Sequence, residues 1–355
     1  GQFGIGFYSA FMVADEVTVY SRSWRPDAES LIWTSDGKSG YEIAESPEEL
    51  PRGCRIVLKL REDCKDFAKI DEVRRVLENY SSFVPFPIMI GEERFNKIEA
   101  IWRKKKSEIS DEEYTEFYKF SAKSYDEPRY RMHFSSEMPI EINALLFVPK
   151  DNTELWGMGQ MEPGVSLYCR NILIDDKPAG LLPEWLRFLR GVIDSADIPL
   201  NISRESMQDS TLVRKLNRVV TKRFLKFLDG EAKGNADTFR EFYTKFGRFL
   251  KEGVVVDYEH REGLSKLLRF ESSMTDPGSL TGFEDYLTRE KDGQDKIYYL
   301  TGTDRSSVEA GPYLEALKSR GLEVIFFLDN IDEHLLQHLR DFDGTELVSA
   351  ASADL

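Results

Sequence analysis

Arg204 sits in the stretch Ile198-Pro199-Leu200-Asn201-Ile202-Ser203-Arg204-Glu205-Ser206-Met207-Gln208, and its guanidinium is the group here with the clearest chemistry. A planar guanidinium offers paired donors that match two oxygens of a phosphate or carboxylate at once. Pro199 breaks any regular element arriving from Asp194, because proline has no N–H to donate. Asn201 and Ser203 favour turns and helix starts. Arg204 is therefore expected at the mouth of a loop, ahead of a long helical pattern; a solvated arginine beside Glu205 is the competing reading. A second candidate is the opening run Gly1-Gln2-Phe3-Gly4-Ile5-Gly6-Phe7, which leads into an apolar stretch, Tyr8–Ala14, read as a short buried helix. Glycines before a helix let backbone N–H groups approach an anion closely, although a tight packing turn has the same pattern.

Other chemistries find no support. The four histidines are scattered and give no metal pair, and Cys54, Cys64 and Cys169 have no CxxC spacing, which points to neither zinc nor a disulfide scaffold and suggests a reducing compartment. A net charge of -15 argues against nucleic acid as the main partner. No apolar run approaches the roughly 18 residues of a membrane span. At 355 residues the chain exceeds one ordinary core, so two or three domains are expected.

The elements that must position these residues read in order. Glu16–Ser21, Ser30–Ser35, Gly40–Glu45 and Cys54–Leu60 are strand-like and separated by turn residues, as in an antiparallel meander. Alternation of Ile56, Leu58 and Leu60 with Val57 and Lys59 predicts at least one well-buried face, and Asp66–Phe83 reads as a helix closing that sheet. Val84-Pro85-Phe86-Pro87 ends it, Ile88–Ile90 is a short strand, and a boundary is expected near Glu92–Lys97. Beyond it lie Ile98–Trp102, a basic run at Arg103–Lys106 read as a solvated turn, and a helix with a capping box at Ser110 and Glu113. Glu141–Val148 and Val165–Ile174 are strand candidates. Between them Asn152–Gly164 carries Trp156, Met158 and Met161 on a glycine-interrupted loop, either inserted in the core or an adhesive surface. Leu182–Val192 reads as a helix, and Asp209 or Ser210 caps another running to Leu228, with Arg214, Arg218, Lys222 and Lys226 as a basic stripe. Asp237–Ser273 reads as short connecting helices, and Thr281 with Glu284 as a further capped start. Lys296–Leu300, Ser306–Ser319, Glu323–Leu328 and Ile331–Phe342 alternate strand and helix, predicting a small α/β unit with a parallel crossover.

The collinear order GQFGIGFYSAFMVAD, YSRS, YSSFVPFPI, DEPRYRMHF, WLRFLRGVIDSADIPLNISRESMQ, KLLRFESS and KIYYLTG resembles the heat shock protein 90 chaperone family over essentially the whole chain. Within it the sequence looks most like the mitochondrial paralogue, with bacterial members close. The resemblance implies an α/β (α+β) chain in four parts: the end of a split-β ATPase domain (1–94), a large α/β sandwich of the middle domain (95–228), a helical connector (229–290) and a small α/β unit (291–355). It implies that Gln2, Phe3, Gly4, Ile5, Gly6 and Phe7 belong to a phosphate-holding glycine loop, and that Cys54 stands where the family usually has Thr lining the adenine site. A thiol is a weaker hydrogen-bonding group than a hydroxyl. Arg204 and Gln208 match the family's catalytic loop, and Arg170 a second supporting arginine. Trp102, Trp156, Met158 and Met161 are candidates for client contact. The implied cofactor is ATP with Mg2+ in the intact protein. The carboxylate, asparagine and aspartate that complete its site are expected upstream of Gly1, so this stretch alone is expected to bind no nucleotide and hydrolyse none. Client proteins and co-chaperones are the implied partners, with homodimerisation through a further C-terminal domain. The implied compartment is the mitochondrial matrix, or else a bacterial cytoplasm. A non-catalytic module binding clients or co-chaperones is the alternative reading.

Overall fold

The computed structural model describes residues 6–96, 99–198 and 211–352, and the chain divides into two compact units, Gly1–Ser82 and Phe83–Leu355.

In the first unit β1 (Ala14–Arg22), β2 (Ser30–Ser35), β3 (Tyr41–Glu45) and β4 (Gly53–Leu60) form an antiparallel sheet in the order β3-β2-β1-β4. The β2–β3 turn is built by Asp36, whose Oδ1 accepts from the backbone N–H groups of Lys38 and Ser39 at 2.8 Å. The Ser39 hydroxyl and these amides hold the Asp36 carboxyl down to about 2. Three expectations fail here. Ile56, Val57 and Leu58 are exposed on both faces of β4, Ile56 by 52%. Helix α1 (Ile70–Tyr80), expected to close the sheet, buries none of its residues and packs chiefly on the short 3-10 helix Glu62–Ala68 before it. The Tyr8–Ala14 stretch likewise forms a 3-10 helix, Gly6–Met12, with Tyr8 and Met12 exposed rather than buried. Alternation identifies an apolar face but does not supply the second layer that would cover it. On this sheet Phe7 and Phe11 lie edge-on to Trp33.

The second unit opens with the hairpin β5 (Met89–Ile90) and β6 (Glu93–Arg94). Asn96 braces the proline-rich approach to it: its Oδ1 accepts from Ile88 N–H, and its Nδ2 donates to the Val84 and Phe86 carbonyls. Helix α2 (Asp111–Ala122) starts at the expected capping box, with Ser110 Oγ accepting from Glu113 N–H and Glu113 Oε2 from Ser110 N–H. Next come β7 (Tyr130–Ser136), β8 (Ile142–Val148), β9 (Gly164–Cys169), β10 (Ile172–Asp175) and β11 (Arg190–Asp194), in the order β10-β9-β11-β8-β7. Only the β11–β9 pairing is parallel in this sheet.

Val165–Ile174, expected as one strand, is thus the β9–β10 hairpin. Leu182–Val192, expected as a helix, is a 3-10 turn at Glu184–Leu186 followed by β11. The causes differ: the turn at Arg170-Asn171 carries no glycine to mark it, whereas β11 is buried on both faces, so its apolar run carries no period. On one face Leu145, Phe147, Tyr168 and Val192 pack with Trp102 and with Phe117 and Tyr118 of α2. On the other, Ala144, Leu146, Leu167 and Ile193 pack with α3 (Thr211–Gly234) and α4 (Ala236–Val256). Gly191 permits the closest approach: at φ 124 a Cβ there would meet the Leu145 carbonyl oxygen at 2.1 Å.

Helix α3 continues beyond the expected Leu228 and is unbroken to Gly234, burying Val213, Leu216, Val220, Phe224, Leu225 and Leu228; the capping residues expected at Asp209 or Ser210 lie outside the described residues. Arg214, Arg218, Lys222 and Lys226 are exposed on it. After α5 (Arg261–Leu267) come β12 (Glu271–Ser272), α6 (Phe283–Thr288), β13 (Lys296–Thr301), α7 (Arg305–Glu309), α8 (Pro312–Ser319), β14 (Val324–Phe327), α9 (Asp332–His338), β15 (Asp341–Phe342) and β16 (Thr345–Ser349). The sheet order is β12-β14-β13-β16-β15, with β13 parallel to both β14 and β16, so the α/β crossover is present. The single helix expected over Ser306–Ser319 is broken at Gly311 and Pro312, where proline begins α8. The start expected at Thr281 falls one residue later, at Gly282, whose N–H donates to Asp285 rather than Glu284.

Candidate functional site: a buried carboxylate under an arginine turn

Asp194, the last residue of β11, is 1% exposed. A carboxylate so buried must be saturated with donors, and four converge on it. Arg170 N–H donates to Oδ1 at 2.8 Å, and Asn171 N–H to Oδ2 at 3.0 Å. The Trp102 indole donates to Oδ2 at 3.0 Å, and the Arg103 guanidinium lies 3.5 Å from the same oxygen. The basic run at Arg103 is therefore no simple solvated turn: Arg103 also reaches Glu141 at 3.6 Å, and Lys104 pairs with Glu99.

Arg170 and Asn171 form the two-residue β9–β10 connection with φ of 51 and 67. Two left-handed residues are what a tight hairpin needs, and Asn-Gly is the usual way to supply them. An arginine there places a Cβ against its own backbone at a cost of roughly 1–2 kcal/mol. Hydrogen bonds to a charged acceptor contribute about 1.5–3 kcal/mol each, so the two turn amides on Asp194 are enough to offset that strain. The Arg170 side chain is exposed and has no ion pair among the described residues. Beside it, burial and then the Asp194 charge push the Cys169 thiol up, so it stays protonated and unreactive.

Trp102, a candidate for client contact, is 0% exposed, edge-on to Phe83 and tilted against Phe117 and Tyr168, and cannot serve. Its carbonyl lies 3.0 Å from His133 Nε2, while His133 Nδ1 lies 2.7 Å from the Tyr114 hydroxyl. A carbonyl only accepts, so Nε2 carries the proton and Nδ1 accepts from Tyr114. Burial holds the His133 pKa below its ordinary value. Met161 is also a core residue and not a contact residue. Trp156 and Met158, by contrast, are 63% and 71% exposed. Their loop is clamped at its base. Glu154 accepts from Met161 N–H at 2.8 Å and from Arg187 Nε at 2.9 Å, and Arg187 also binds Glu252 at 2.7 Å.

Arg204 and Gln208 lie outside the described residues, as do Gln2, Phe3, Gly4 and Ile5. Gly6 and Phe7 begin the first 3-10 helix, where the Gly6 carbonyl accepts from Ser9 Oγ at 2.6 Å. Cys54 is exposed on β4, its Sγ 3.2 Å from Ser21 Oγ. Among the candidates, then, the structure builds a defined arrangement around Arg170. The residues that hold it, Asp194, Asn171 and Arg103, were not singled out from sequence. The one available signal was an acidic residue closing the apolar run Gly191-Val192-Ile193.

Comparison with known proteins supplies the rest. The family profile described as Hsp90 protein matches residues 89–355. Chaperone protein HtpG of Desulfitobacterium hafniense is 55% identical over 100% of this chain and 58% of its own length. Heat shock protein 75 kDa, mitochondrial, of Rattus norvegicus is 43% identical over 98% of this chain and 50% of its own. The TNF receptor-associated protein 1 homolog, mitochondrial, of Dictyostelium discoideum is 42% identical over 100% of this chain and 50% of its own. The chain thus spans between half and three-fifths of the length of these relatives.

Proposed function

The chain belongs to the Hsp90 family, and on that premise we propose that it is the part of an ATP-dependent chaperone whose arginines stabilise the terminal phosphate of bound ATP. Phosphoryl transfer is helped mainly by positioning and by positive charge against the transferring group. Arg204 and Gln208 are the catalytic-loop residues in this reading, and Arg170 supports them. The observation that carries it is the Arg170 turn: an exposed guanidinium without an ion-pair partner among the described residues, on a backbone anchored to buried Asp194. Such a group fits a phosphate oxygen. Gly6, Phe7 and Cys54 would lie on the nucleotide side, together with the glycine-loop residues Gln2 to Ile5. Mg2+, held with the nucleotide, would neutralise phosphate charge.

The test is made in the full-length protein. Arg204→Ala is expected to lower the steady-state hydrolysis rate, by up to about 10³-fold for a group acting as an arginine finger, while ATP affinity by calorimetry stays within about twofold. An unchanged rate rejects the role. The compartment is read as a mitochondrial matrix or, alternatively, a bacterial cytoplasm; the relatives named above include both kinds.

A second reading, a client-binding module, is favoured by one observation: Trp156 and Met158 are exposed at the tip of a loop whose base is fixed by Glu154 and Arg187. Trp156→Ala is expected to weaken suppression of aggregation of a denatured test protein without lowering Tm; undiminished suppression removes this site.

A further inference from the structure

We propose that Asp194 is the positioning residue for Arg170: its carboxylate holds the β9–β10 turn in a left-handed conformation that an arginine would not otherwise keep. This rests on the reading of Arg170 as a phosphate-binding group and adds what sets that group in place. Backbone strain is retained where the surroundings over-determine it and where the strained residue is needed. Both conditions are met here. The turn carries Arg-Asn where glycine would be unstrained, at φ of 51 and 67. Its two amides are taken by one carboxylate. That carboxylate is itself fixed from the other side by the Trp102 indole at 3.0 Å and the Arg103 guanidinium at 3.5 Å. Two further polar atoms at the site, Asn171 Oδ1 and Ser195 Oγ, are buried without a partner among the described residues. Neither of these oxygens takes a turn amide; both turn amides go to Asp194. Without the Asp194 charge the hairpin relaxes toward unstrained backbone and Arg170 leaves its place.

Asp194→Asn keeps the shape but replaces one acceptor oxygen by an N–H2 group facing donors. Two measurements follow. In this 355-residue chain, amide exchange of the turn at Arg170 and Asn171 should accelerate by at least about tenfold in Asp194→Asn. In the full-length protein, kcat for ATP hydrolysis should fall by about 10- to 10²-fold, as expected for a misplacement of about 1 Å, with KM for ATP within about twofold. Arg170→Ala should lose a similar factor, and the double variant should lose no more than Arg170→Ala alone. A merely structural Asp194 would give losses that multiply, which overturns the inference. So does a normal kcat in Asp194→Asn beside a slowed Arg170→Ala. A normal kcat in Arg170→Ala overturns the phosphate reading of Arg170 and this inference with it. Should Asp194→Asn not fold, Arg170→Gly decides: glycine removes the strain, so Tm should rise while kcat falls as in Arg170→Ala, and a fall in Tm rejects the strain argument.

Discussion

Replacing Arg187 by methionine tests the electrostatics at the base of the Trp156 loop. Arg187 is 6% exposed and its guanidinium bridges Glu154, at 2.9 Å, and Glu252, at 2.7 Å, while lying 4.4 Å from the centre of the Phe249 ring. Burial raises the Glu154 pKa, but the Arg187 hydrogen bonds and the Met161 amide more than offset this, and its carboxyl ends below the usual range. Methionine fills much of the volume and leaves the two carboxylates with only the largely exposed Arg248, 3.6 Å from Glu252, as a nearby cation. Removing one partner of a buried pair costs about 3–5 kcal/mol. The side chains of Glu154 and Glu252 keep 21% and 26% of their surface exposed, so the lower end, about 3 kcal/mol, applies. For a unit of this size that is a fall in Tm of roughly 6–12 °C. The pH dependence has a defined sign. In the parent, the depressed Glu154 contributes stability above its unfolded value, and that stability is lost as pH falls through the folded pKa. In Arg187→Met the carboxylate is buried beside a like charge and its pKa is raised. It then destabilises at neutral pH and less so once protonated. The gap between parent and variant, measured by calorimetry, should be widest near pH 7 and narrow toward pH 4. A gap below about 1 kcal/mol, or one that does not change with pH, refutes the reasoning.

Two further outcomes are expected. His133, held neutral between Tyr114 and the Trp102 carbonyl with its pKa lowered by burial, makes stability decline as pH drops below the unfolded value of about 6.5. His133→Gln should flatten the Tm profile between pH 7 and 5, and an unchanged slope would locate the dependence elsewhere. Gly191→Ala puts a methyl 2.1 Å from the Leu145 carbonyl at φ 124, beyond what side-chain movement relieves, and should cost more than about 4 kcal/mol; a soluble variant with parental Tm contradicts the β11–β8 register.

Where local chemistry decided the structure, the sequence was legible. Ser110 and Glu113 announced α2 because a capping box satisfies two specific N–H groups. Ser30–Ser35 was bounded by turn residues and is β2. Failure followed burial on two faces. Trp185, Leu186, Leu189 and Val192 fall at helical spacing, yet they belong to a 3-10 turn, its continuation and a central strand, all enclosed. The turn at Arg170 was invisible because neither of its residues is glycine, and Asp194 because the donors it binds come from residues 102, 103, 170 and 171. No window along the chain contains that set. The client candidates split for the same reason: Trp102 and Trp156 are one residue type, and only tertiary packing separates them.

Helix α3 has a mechanical consequence. Its 24 residues span roughly 36 Å at 1.5 Å each. It begins at Thr211, a few residues after Arg204 and Gln208, and buried side chains along one side bind it to the sheet and to α4. A helix seated so continuously moves as a rod. A push or rotation at Thr211 is expected to reappear at Gly234, just before α4 begins, rather than be absorbed locally. A displacement imposed at one end of α3 would thus be carried to its other end, about 36 Å away.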